Sequence, residues 1–87
     1  MLRVGKIVAI HGLQGALVLK QIIDNTSWLK KGDVLFIEMQ RESFIPYFVE
    51  TAKAANDEEY IITLDDVTSP DEARKMVNRT VYAKEEV

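Results

Sequence analysis

The 87-residue chain contains no cysteine and a single histidine, His11. Without thiols there is no disulfide framework, no thiol nucleophile and no Cys-ligated zinc or iron–sulfur cluster. One imidazole also rules out a multi-histidine metal site, and a lone histidine beside glycines reads as a turn residue rather than a general base. No apolar run approaches the roughly 20 residues that a membrane helix needs. The opening Met1-Leu2-Arg3-Val4-Gly5-Lys6 lacks the longer apolar stretch of a signal peptide. Internal repeats, low-complexity segments and linkers are missing too. These absences predict a cytoplasmic domain that is not an enzyme and carries no cofactor or metal.

Net positive charge is likewise absent. The chain carries 11 Lys and Arg against 14 Asp and Glu, a formal charge of −3. A module that holds nucleic acid alone usually shows a basic patch, because phosphate neutralisation supplies most of its affinity. Here the basic residues are scattered, while acids gather at Asp57-Glu58-Glu59, Asp65-Asp66, Asp71-Glu72 and Glu85-Glu86. Such clusters read either as solvated surface or as a face that attracts a basic protein. Asp65-Asp66, read as strand residues, would point to opposite faces and share no cation.

What is present is enough to fold. Apolar residues make up 47% of the chain, and a domain of this size buries about 60–65% of its unfolded surface. Short apolar stretches separated by turn signals give the pattern of a small all-β barrel or sandwich. Strands are predicted over Arg3–Ile10, Ala16–Gln21, Val34–Met39, about Ile45–Lys53, Tyr60–Leu64 and Thr80–Ala83. The glycines of His11-Gly12-Leu13-Gln14-Gly15 can supply positive-φ turn positions, and Lys31-Gly32-Asp33 is a second turn. Asp24–Ser27 reads as a loop, after which Trp28 and Leu29 plug one end of the core. Pro46 lacks an amide donor and is expected at a strand end, an edge or a bulge.

The one helix begins at Ser69. Ser69-Pro70-Asp71-Glu72 places serine at the N-cap, proline at the first helical position and glutamate at the third, a capping box. Ala73, Met76 and Val77 form one apolar stripe, Asp71 and Lys75 are spaced to pair, and Asn78 is the expected C-cap.

Two features resemble nucleic-acid machinery. Gly12-Leu13-Gln14-Gly15 has the outline of the GXXG loop of KH domains, although that loop sits between helices and these flanks read as strands. Tyr47, Phe48 and Tyr60 could stack on bases, but on strands they read first as packing residues.

The ordered set of segments resembles the RimM family of bacterial ribosome maturation factors. Val4-Gly5-Lys6-Ile7-Val8 followed by His11-Gly12-Leu13-Gln14-Gly15-Ala16-Leu17-Val18-Leu19 is similar to the family's opening. So are Lys31-Gly32-Asp33-Val34-Leu35, Pro46-Tyr47-Phe48-Val49-Glu50, Asp65–Ala73 and Arg79–Glu86 in their places. Gln14 stands where the family often has a basic residue, and Ala16 where an acid is common. The resemblance implies an all-β, six-stranded antiparallel barrel like the second domain of translation elongation factors, with one short helix near the C-terminus. It also implies a role in late assembly of the small-subunit head and ribosomal RNA processing. The partners implied are small-subunit ribosomal protein nineteen, nearby ribosomal RNA and the family's second domain, a PRC-type barrel with no counterpart in residues 1–87.

The residues expected to meet a partner are His11, Gly12, Leu13, Gln14, Gly15, Tyr47 and Glu50. Gly5, Trp28, Gly32, Ser69, Pro70 and Glu72 are expected to be structural. The alternative is a small-barrel RNA binder using the Gly12–Gly15 loop with Lys6 and Lys20.

Overall fold

The computed structural model describes residues 1–22, 29 and 31–84. Six strands and one helix follow in the order β1 (Leu2–His11), β2 (Ala16–Gln21), β3 (Val34–Gln40), β4 (Ser43–Ala54), β5 (Glu59–Leu64), α1 (Pro70–Arg74) and β6 (Thr80–Ala83). All pairings are antiparallel and the sheet closes as β1-β2-β5-β4-β3-β6, with β6 bonded to both β1 and β3. The expected six-stranded barrel is therefore the observed fold. Closure demands strong bending, and register shifts supply it between Arg3/Gly5 and Ile7/Ala9 in β1, Glu38/Gln40 in β3 and Val49/Thr51 in β4.

Strand alternation fills the interior. Ile7, Leu17, Leu19, Leu35, Ile37, Ile62 and Val81 are completely inaccessible to solvent. Burying each such side chain contributes on the order of 2 kcal/mol. Val67, Ala73 and Met76 close one region of this core from the helix and the segments before and after it, and Leu29, at 5% exposure, also belongs to it. Of the expected plug, Leu29 is buried in the core; Trp28 and the Asp24–Ser27 loop lie outside the described residues.

Pro46 lies inside β4, paired across to Phe36 of β3, in the half of the strand before β5 begins to pair at Val49. One edge of β4 has no ladder partner there, so the missing amide costs nothing on that side. Arg41 and Glu42 make a two-residue hairpin between β3 and β4, and Glu42 takes the left-handed φ of 64°.

The helix starts as expected and ends earlier. Its C-cap is Lys75, and a turn runs on to Asn78, whose φ of 70° reverses the chain into β6. Asn78 then donates its amide to the Ile7 carbonyl at 2.7 Å. The Asp71 carboxylate pairs with Arg74, three residues on, and not with Lys75. Asp65 and Asp66 also differ from expectation: they form the turn after β5 rather than part of a strand.

Candidate functional site

The Gly12–Gly15 loop joins β1 to β2 beyond the closing pair His11↔Ala16. Gly12 and Gly15 have φ of 71° and 86°, which turns the chain in four residues. Gly15 is buried against the backbone of Val67, Thr68 and Ser69; a Cβ there would lie 2.8 Å from the Val67 carbonyl oxygen. The loop is thereby seated on the segment that leads into α1. Leu13, at its tip, is 85% exposed, and His11, Gly12 and Gln14 are exposed beside it.

The seat itself is fixed by the helix cap. The Glu72 amide donates to Ser69 Oγ at 3.2 Å, and the Ser69 hydroxyl donates back to Glu72 Oε1 at 3.1 Å. Thr68 Oγ1 adds a longer bond to the same carboxylate oxygen. The reciprocal arm of the capping box therefore runs to hydroxyls rather than to the N-cap amide. Pro70 occupies the first helical position as expected.

Carboxylates surround this seat. Asp65 and Asp66 precede it, Asp71 and Glu72 follow it, and all four are exposed. Tyr47 points from β4 toward the barrel interior and is half-buried. Burial pushes its phenol above the usual range, and the carboxylates of Asp66 and then Glu72 raise it further. Tyr47 therefore keeps its proton, and can donate a hydrogen bond, throughout the neutral range. Glu50 is the residue left unpaired by the Val49/Thr51 bulge, exposed opposite the end of β5.

The structure thus brings His11, Gly12, Leu13, Gln14, Gly15 and Tyr47 to one region of the barrel, with Glu50 beside the adjoining strand end. Asp65, Asp66, Asp71 and Glu72 share that region, and sequence reasoning had not joined them to the loop. The signal was available only as acid pairs bracketing Val67–Pro70; what makes it a site is the contact of Gly15 with that segment. Gly32 turns the chain before β3 at φ 91°. Gly5 packs against the Lys20 carbonyl so closely that a Cβ could not be accommodated.

Tyr60, one of the three candidate stacking residues, is core, whereas Phe48 faces outward and is 55% exposed. The loop lies between two strands and among acids, unlike the loop of a KH domain, and that surrounding repels phosphate. Among the described residues, no group of three or more His, Asp or Glu side chains is arranged to hold a metal ion, and no helix is long and apolar enough to cross a membrane.

A closed six-stranded barrel with a loop seated on a capped helix defines a small all-β barrel domain. The chain belongs to the RimM family: the model of the RimM N-terminal domain matches residues 2–87. The fold is similar to the crystal structure of a protein from Pseudomonas aeruginosa described as a 16S ribosomal RNA processing protein, RimM, with a TM-score of 0.81 at 15% identity. That match covers 99% of this chain and 52% of the other, so the chain spans about half of that protein's length. No curated protein sequence matches the chain.

Proposed function

We propose that this chain is the N-terminal domain of a ribosome maturation factor that assists late assembly of the small-subunit head and processing of its RNA. It acts in the cytoplasm without catalysing a reaction, by docking on a basic ribosomal protein, small-subunit ribosomal protein nineteen. The observation that carries the docking mode is the exposed Leu13 tip of a loop whose Gly15 is seated on Val67–Ser69, the segment that the exposed pairs Asp65-Asp66 and Asp71-Glu72 flank. An apolar knob supplies contact area, and surrounding charge of one sign steers a partner of the other. Family membership supplies the ribosomal context, and a PRC-type second domain is the further partner expected of the family.

Calorimetric titration with that ribosomal protein at low and moderate salt, with an equally basic ribosomal protein as control, tests the reading. Selective binding that weakens as salt rises supports it. Equal binding to the control, or none, moves recognition away from this domain.

A further inference from the structure

The outer surface of β1, β6, β3 and β4 has a composition opposite to the loop end. Leu35, Ile37 and Val81 point inward with no exposure, so their strand neighbours point out. The register then places Phe36 beside both Pro46 and Tyr82, with Phe44 opposite Glu38 and Phe48 opposite Val34. Phe44 and Tyr82 meet edge to face with ring centroids 4.9 Å apart. A solvent-facing surface of three adjacent strands therefore carries Phe36, Phe44, Phe48 and Tyr82.

Alongside this aromatic stripe lie two surface depressions that share Asn78 and Thr80 in their linings and so sit side by side at the start of β6. Arg3, Lys6 and Lys20 line one; Arg41 and Arg79 line the other, with Glu38 the one carboxylate in either lining among the described residues. Five of the chain's 11 basic residues thus line this adjacent pair of depressions, a basic trough in two parts, in a protein of net charge −3. Lys6 stands directly opposite Lys20, a like-charge pairing that weakens the sheet. Lys20 reaches Glu58 only at 4.0 Å on the surface. Among the described residues, Arg3, Lys6, Arg41 and Arg79 have no carboxylate partner.

We infer that this aromatic-and-basic face binds a single-stranded segment of RNA, its phosphates along the Arg3–Lys6–Arg41 trough and its bases against Tyr82 and the phenylalanines. A cationic trough beside outward-facing rings is what an unpaired strand requires, since backbone charge and base faces must be met together. A duplex hides its base faces, and an acidic peptide has no use for the rings. The choice of RNA rests on the ribosomal reading above; of the residues of this surface, Phe48 adjoins the acidic loop end, its carbonyl accepting the Asp65 amide.

The test is fluorescence anisotropy of the whole chain with a short, labelled, unstructured oligoribonucleotide across a salt series. A duplex of equal charge is run beside it. Lys6→Glu and Arg41→Glu should each weaken binding and reduce the salt slope by about one. Lys53→Glu, the same charge change outside the trough, should do less. Tyr82→Leu, which keeps apolar bulk and removes the ring, should lower affinity about fivefold or more.

No binding at low salt overturns the inference, as do equal affinity for the duplex or indifference to Tyr82→Leu with thermal unfolding unchanged. Sedimentation that reveals a dimer broken by Phe48→Glu would assign the face to a second copy and overturn it as well. The calorimetric titration with the ribosomal protein is independent of each of these outcomes.

Discussion

The loop end of the barrel and the β1–β6–β3 face differ in how each is held. The loop end is shaped by backbone: a positive-φ glycine pressed against a carbonyl, and a capped helix whose serine, threonine and glutamate bond among themselves. The opposite face is shaped by strand alternation alone, with side chains standing outward from a ladder whose other side is core. The loop end gathers carboxylates, and the face gathers cations and rings. A net charge of −3 describes neither, although the two mix where Arg74 meets Asp71 and Lys20 approaches Glu58.

Substitutions can break this contrast. Gly15→Val imposes a β-branched residue at φ 86° and a Cβ 2.8 Å from a backbone oxygen. Backbone strain and overpacking together predict a loss of about 4 kcal/mol, measured by urea denaturation. An unchanged midpoint would show that the loop is not seated on Val67–Ser69. Gly5→Ala is the counterpart beneath the basic trough, where the Cβ meets the Lys20 carbonyl without any φ penalty. It should cost about 3 kcal/mol, and a loss under about 1 kcal/mol would mean that β1 and β2 can part without consequence.

Milder changes sharpen the same contrast. Ser69→Ala removes the cap under the loop and should cost about 1 kcal/mol. Its amide-exchange signature should be confined to α1 and the Gly12–Gly15 loop, leaving β3 and β6 protected. The smallest effect concerns Tyr47. Its raised pKa means that the stabilising contribution is full below the unfolded value of about 10 and is lost as pH rises through the folded one. Asp66→Asn removes one carboxylate that opposes the phenolate, so Tyr47 should ionise at lower pH in an alkaline absorbance titration. The shift should be partial, because burial, the larger cause, remains.

Much of the fold could be read from the residues. Ala16–Gln21 and Thr80–Ala83 are strands at their expected bounds, and Ser69, Pro70 and Glu72 form the expected cap. These features depend on neighbours in sequence. The helix end at Arg74 was not legible, because Lys75–Asn78 follow the bond from Asn78 to Ile7, a distant partner. Nor was the aromatic face. In Val34–Ile37 both alternating sets are apolar, so periodicity cannot say whether Phe36 or Leu35 points inward. That Phe44 meets Tyr82 follows from strand order alone, and no local pattern states that β6 lies beside β3. For the same reason the basic residues read as scattered: Arg3, Lys6, Lys20, Arg41 and Arg79 converge only when the barrel closes.

The pairing of β1 with β6 has a kinetic consequence. Lys6 finds Thr80 only after every intervening strand has been made, and the junction of β3 with β6 rests on three residue pairs. Contacts this distant in sequence make folding slow, on the millisecond-to-second scale typical of small β-barrels. During synthesis β1 and β3 wait with open edges while their eventual partner is still unborn, the period in which a sheet is most exposed to mispairing. The strand of four residues that arrives last therefore sets when this domain becomes a closed body.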